Sequence, residues 1–239
     1  MKLDILAIGV HPDDVELSAS GTLLKHIALG KKVGILDLTR GELGTRGNAA
    51  LRTEEAMKSA KILGLSAREQ LTLADGFFEN NESSQKHIIH ILRKYQPEIV
   101  LCNAVSDRHP DHARAAKLTS DACFYSGLIK VETRGEDNAL QTAWRPKAIY
   151  HYVQDNFIKP DFVVDITPYM EKKMESIFAY SSQFYDPNSK EPETPISSKN
   201  FMENIKSKAQ VFGRAINCDY AEGFTVERYI GVENLFDLR

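Results

Sequence analysis

Residues 3–9 (LDILAIG) form a nearly unbroken apolar run, the pattern of a short strand covered on both faces. Residues 17–29 then carry apolar positions at helical spacing, and residues 33–39 repeat the short apolar run. A helix is predicted over 52–63, closed by Gly64 just past its end, where a left-handed residue commonly stops a helix. A third strand is predicted over 70–73. A helix over 83–95 follows, with Ile88, Ile91, Leu92 and Tyr95 on one face and Pro97 ending it. Residues 99–103 read as the fourth strand and 114–124 as the next helix. Strands and helices alternating in this way imply right-handed crossovers and a mostly parallel sheet. The predicted class is therefore α/β, a Rossmann-like sheet flanked by helices.

The second half is less regular. Strands are predicted over 148–153, 162–166 and 224–232, with helices over 169–180 and 201–216. Residues 186–198 hold Pro187, Pro192 and Pro195 and read as a long surface loop. Such a loop is either a plain connection or a binding loop. No repeat, linker or low-complexity tract interrupts the 239 residues, so a single domain is expected. A chain of this length buries enough surface to fold without disulfides.

Composition narrows the classes. Thirty Lys and Arg against 33 Asp and Glu leave a net charge of −3, without the basic excess of a nucleic-acid binder. No stretch approaches the ~20 apolar residues of a membrane span, and the best candidate, 27–38, contains Lys31 and Lys32. The first ten residues, followed at once by His11 and Asp13, do not read as a signal peptide. Cys102, Cys123 and Cys218 are odd in number and form no CxxC pair. A reduced, cytoplasmic setting is expected.

Two tetrapeptides carry the chemistry: His11-Pro12-Asp13-Asp14 and His109-Pro110-Asp111-His112. Each follows a predicted strand, the first and the fourth. Ligand sites in open α/β sheets form beyond the carboxyl ends of the strands, so the two segments are expected to share one crevice. Either alone could be a hydrogen-bonded turn with a solvated histidine. Together they offer imidazole and carboxylate ligands for zinc, with acids and bases to spare. That inventory suits hydrolysis by a metal-activated water.

HPDDVELSASGTLL followed by HPDH resembles the LmbE-like (PIG-L) family of zinc-dependent N-acetylglucosamine deacetylases. The LTRGELGTRG and LRTEEA segments and the late YAEGF extend the resemblance over nearly the whole chain. SSQFYDP and EPETPIS resemble the N-acetylglucosaminyl-malate deacetylases of bacillithiol biosynthesis. The resemblance implies His11, Asp14 and His112 as metal ligands for zinc, with ferrous iron or another divalent ion as alternatives. It implies Asp13 as general base, His109 as stabiliser of the intermediate or proton donor, and Asp111 as the group orienting His109. Arg52 falls where the family has a substrate-contacting arginine, although pairing with Glu42 or Glu55 would also account for it. Arg46 is a candidate for malate carboxylates, and Tyr185, with the 186–198 loop, for covering the sugar; packing would explain Tyr185 equally well. Either Asp13 or His109 could protonate the leaving amine. A homo-oligomer, as a hexamer, is also implied, acting on a small N-acetyl sugar.

Other residues point to no role. Glu16 recurs in the family's HPDDVE pattern, and a helix-start acid explains it equally well; His26, His87, His90 and His151 read as ordinary helix or strand histidines. A lone glycine-rich loop (Gly41, Gly44, Gly47) is poor grounds for phosphate binding. Three rival readings stay open: another N-acetylglucosamine conjugate or chitooligosaccharide as substrate, a metallophosphoesterase, and a non-catalytic sugar-binding protein. The phosphoesterase needs ligands for two metals, and the motifs supply one convincing set. Ala19-Ser20-Gly21-Thr22 replaces a glycine-richer stretch common in the family, which should alter helix packing and spare the metal turn.

Overall fold

The computed structural model describes residues 1–238. Its centre is strand β1 (Ile5–Gly9), every residue of which is buried. Along β1, side chains alternate between two covered faces. Leu6 and Ile8 pack with Ile88 and Leu92 of α3 (Glu82–Tyr95) and Leu118 and Ala122 of α4 (Pro110–Ser126). Ile5 and Ala7 pack with Val15, Ala19 and Leu23 of α1 (Asp14–Ala28). Burial on both faces is why this strand reads as a continuous apolar run.

Strand β2 (Val33–Asp37) pairs in parallel with one edge of β1, and β3 (Ala67–Gln70) pairs beyond it. The chain then crosses over: β4 (Ile99–Cys102) pairs with the other edge of β1, and β5 (Ala148–Tyr152) lies beyond it. The reversal leaves a crevice past the ends of β1 and β4, where the two histidine motifs meet as the sequence predicts. The sheet is completed by β6 (Phe162–Asp165) and β7 (Ala221–Val226), giving the order β3-β2-β1-β4-β5-β7-β6. β7 runs antiparallel to both β5 and β6. On the α1 side, α2 (Ala49–Leu63), α5 (Met170–Phe178) and α6 (Lys199–Ala215) enclose a further apolar cluster that includes Ala56, Ile177 and Ile205. Among the described residues no helix is long and apolar enough to cross a membrane. The three cysteines are free thiols.

The predicted elements are present, with shifted ends. α1 begins at Asp14 rather than 17 and α4 at Pro110 rather than 114. Both helices therefore start inside the histidine motifs. An acid in the first turn and a proline at the first position favour a helical start, which apolar periodicity does not register. Gly64 ends α2 in the left-handed region (φ 75°), as predicted. β3 occupies 67–70 rather than 70–73, although Leu71 and Leu73 still donate N–H bonds to Asp37 and Leu38. The last strand spans 221–226 rather than 224–232, and Tyr229 is fully exposed. Gly223, a poor strand former, hid its true start; a Cβ there would lie 3.0 Å from Phe212.

β7 also reaches back to α1. Both Glu222 carboxylate oxygens accept backbone N–H bonds, from Gly21 (3.0 Å) and Thr22 (2.7 Å). Lys173 pairs with Glu222 at 2.6 Å and donates to the carbonyls of Glu16 and Leu17. A buried ion pair is thus set against the hydrogen-bonding groups of α1, beyond the His11–Asp14 turn. Gly21 leaves room for Ile166, whose Cδ1 would lie 2.7 Å from a Cβ. Removing one partner of such a pair strands the other's charge. Glu222→Gln is expected to lower the unfolding free energy by about 3–5 kcal/mol, as read from the midpoint of urea denaturation.

Candidate active site and metal centre

Asp14, the first residue of α1, sits where four chain segments converge. Its Oδ2 accepts from the His11 backbone N–H (2.9 Å) and from Asn103 Nδ2 (3.0 Å). Its Oδ1 lies 3.2 Å from both Gln154 Nε2 and His112 Nε2. His11 Nδ1 lies 3.8 Å from Oδ2. Both imidazoles have their other nitrogen on a carboxylate: His11 Nε2 on Asp75 (3.0 Å) and His112 Nδ1 on Asp107 (2.5 Å). Those acids are fixed in turn, Asp75 by the Leu43 N–H and Asp107 by the Asn156 N–H. A carboxylate behind an imidazole fixes its tautomer and raises its basicity, the usual surrounding of a metal-bound histidine.

His109 differs from the other two. It caps α4, its Nδ1 accepting the Asp111 backbone N–H at 3.2 Å. Its ring stacks on His112 at 5.1 Å and meets His11 edge-on at 4.8 Å. Burial, with the His11 and His112 charges, lowers its pKa. The acceptor role of Nδ1 leaves the proton of neutral His109 on Nε2. The other two respond to the acids instead. Burial opposes charge on His11, but Asp111, Asp75 and Asp14 outweigh it and push the pKa to about 10. Burial opposes charge on Asp14 too, yet His112 and His11 hold its carboxyl well below the ordinary range.

These groups fit a divalent cation. His11, His109 and His112 each offer a ligand atom within 4.8 Å of the others, and Asp14 lies between two of them. Asp13, Asp14, Asp75, Asp107 and Asp111 crowd the crevice, and only Asp13 and Asp111 are paired with an arginine. A second grouping, His11 with Asp75 and Asp111, uses the same histidine.

Asp13 is buried, and its φ of 120° lies in a region that side chains rarely adopt, a cost tolerated mainly at functional sites. Arg52 secures the turn, with Nη2 donating to Pro12 O (2.7 Å) and Asp13 Oδ2 (2.9 Å) and Nη1 donating to Gly41 O (3.3 Å). Burial pushes the Asp13 pKa up to about 7, against the opposing Arg52 charge. Asp13, His109 and the three expected ligands all line one cavity of about 630 Å³, within the range of small-molecule sites.

The other expected residues have the following surroundings. Arg52 lines the cavity, with its guanidinium bonded to Pro12 and Asp13, and neither Glu42 nor Glu55 is its partner among the described residues. Arg46 is buried outside the cavity wall, where it bonds Phe184 O and Ser189 Oγ and ties the glycine-rich loop to the 184–189 segment. Tyr185 is exposed and also lies outside that wall; the loop contributes Thr194, Pro195 and Ile196 instead. The Asp111 carboxylate bonds the Gly76 N–H and Arg114, so its contact with His109 runs through its backbone. Glu16 is a buried partner of Arg68, Ser59 and Tyr180, away from the backbone donors of its helix start. His151 is buried, and its Nδ1 lies 2.9 Å from the Asn103 carbonyl.

Sequence pattern does not single out Asp75, Asn103, Asp107 or Gln154. Only Asp107, just ahead of HPDH, has a local signal that could have found it.

Residues 6–123 match the PIG-L family, described as GlcNAc-PI de-N-acetylase. A diacetylchitobiose deacetylase from Thermococcus kodakarensis is 30% identical over 190 residues, covering 75% of this chain and 70% of its own. A probable N-acetyl-α-D-glucosaminyl L-malate deacetylase 2 from Bacillus anthracis is 24% identical, covering 75% and 81%. The crystal structure of a conserved protein from Thermus thermophilus superposes with a TM-score of 0.84 at 32% identity, covering 97% and 98%. The fold is that of the PIG-L deacetylases. The chain belongs to the PIG-L family.

Gly41 explains how Arg52 reaches the turn: a Cβ there would lie 2.1 Å from Arg52 Nη1, at a φ of +62°. Gly41→Ala should therefore displace the arginine and cost about 1–3 kcal/mol. Gly44→Ala, whose nearest contact is 3.1 Å, should cost less. Equal denaturation midpoints for the two variants would contradict the packing argument.

Proposed function

We propose that the protein is a metal-dependent deacetylase of N-acetylglucosaminides, with N-acetylglucosaminyl-malate of bacillithiol biosynthesis as its substrate. The observation carrying the reading is the shared crevice of His11, Asp14 and His112, with the strained Asp13 beside them and unbound to any of the three histidines. His11, Asp14 and His112 would hold the ion, because only those two histidines have a carboxylate behind the imidazole. Nitrogen and oxygen donors of this kind suit zinc. When bound, the ion supplies Lewis-acid polarisation of the acetyl carbonyl and acidifies water.

The remaining steps belong to the chain's own groups. Asp13, held by Arg52, takes a proton from the attacking water as the new C–O bond forms. His109 Nε2–H donates to the carbonyl oxygen as negative charge gathers on it, and the Asp111 backbone N–H keeps the ring in the required tautomer. Asp13 then carries the proton that the amine needs as the C–N bond breaks, so acetate and a free amino sugar leave.

The malate reading is supported by the Bacillus anthracis relative. A second reading, with a chitooligosaccharide as substrate, is favoured by the 30% identity to the Thermococcus enzyme. Acetate release from a panel of both classes, with and without chelator, separates them; preferred turnover of diacetylchitobiose would overturn the malate assignment. Exposed Tyr229, Leu235 and Phe236 in the C-terminal segment support a homo-oligomer, which sedimentation would test.

Three variants test the roles. Asp13→Asn should keep the metal and lose about 10²–10⁴-fold in kcat. His112→Ala should lose metal and activity together. Asp107→Asn should weaken metal affinity roughly 10–100-fold, measured by chelator competition. Loss of metal from Asp13→Asn would refute the base assignment.

A further inference from the structure

The cavity is chemically lopsided. Its inner end is the acid-rich histidine cluster, and one of its walls is a face of α6 carrying Phe201, Asn204, Ile205, Lys208 and Val211. Lys208 is the only cation on that face. Its ammonium donates to the Gln154 carbonyl at 2.5 Å, while the side-chain amide of Gln154 contacts Asp14. One residue therefore links the two ends of the cavity.

An ammonium carries three donors, and the carbonyl accounts for one. Among the described residues no carboxylate lies within salt-bridge distance of Lys208. The nearby acids are engaged elsewhere: Asp155 with Arg108, Asp107 with His112 and Glu222 with Lys173. Burial, helped by the Lys173 charge, lowers the Lys208 pKa to about 8, as expected of a cation with too little compensation. A pocket wall that is otherwise largely apolar gains orientation and specificity from a single such group.

We infer that Lys208 is the specificity-determining residue that binds a carboxylate on the substrate, on the part beyond the N-acetyl sugar. The inference rests on the deacetylase reading above and adds the group that selects an anionic substituent. Arg108 also lines the cavity but is paired with Asp155, and an ammonium without a free arginine fork beside it suits a carboxylate better than a phosphate. Orientation follows from the reaction: the acetamide must reach the histidine cluster at the inner end, which leaves the substituent beyond the sugar toward the α6 wall and Lys208.

The test compares N-acetylglucosaminyl-malate with its neutral diamide analogue on the metal-loaded protein, reading acetate release. In the unsubstituted protein the diamide should show a KM raised by about tenfold or more, the value of one charge-assisted hydrogen bond. In Lys208→Gln the ratio of the two KM values should collapse toward unity, and Lys208→Arg should restore much of it. Equal KM values for acid and diamide in the unsubstituted protein overturn the assignment and leave the deacetylase reading standing, even if the variants fail to fold. So does a ratio that survives in Lys208→Gln. Acetate release from neither compound, with diacetylchitobiose still turned over, overturns the malate reading and the Lys208 assignment with it; release from none of the three overturns the deacetylase reading itself.

Discussion

One carboxylate organises the centre of this protein. Asp14 takes the backbone N–H at the end of β1, the Asn103 amide past the end of β4, the His112 imidazole of α4 and the Gln154 amide past the end of β5. A buried carboxylate without partners is among the costliest groups a fold can hold. Its demand for donors draws four segments to one point at the crossover of the sheet. The same charge, with the aspartates around it, is what raises the basicity of His11 and His112.

A second buried network stiffens the ground beneath the turn. Arg68 Nε and Nη2 bond the two oxygens of Asp37, and its Nη1 bonds Glu16; Nη2 also reaches Tyr180. Glu16 lies two residues past Asp14, so the first turn of α1 is anchored from both sides. Arg52 and Glu55, one turn apart on α2, divide the work of positioning. Arg52 holds the Pro12–Asp13 turn, and Glu55 accepts three bonds from Ser181 and Ser182 of the segment leading into the 186–198 loop. Such layers matter because a base must be held in place before its basicity is of use.

Much of this was legible in the sequence, for a physical reason. The apolar runs reported buried parallel strands, and two contiguous motifs reported the crevice, because each tetrapeptide puts several reactive groups on consecutive positions. Asp75 and Gln154 left no such mark. They reach the site as single residues from distant loops, and nothing local distinguishes them from surface polar groups. The arginines were ambiguous for a related reason. A guanidinium suits a sugar diol as well as it suits a carbonyl and a carboxylate, and only the packing at Gly41 shows which partners Arg52 takes.

The Glu222 contact with α1 has a consequence for how the protein is made. It joins positions 201 residues apart, and contacts so remote in sequence slow folding. On the ribosome, chains grow at about 5–20 residues per second. Once synthesised, the helix that begins at Asp14 therefore waits roughly 10–40 s for the strand that grips it. During that interval its motif is complete in composition and incomplete in support. A nascent chain of this protein carries its reactive residues long before it has the rigidity to use them.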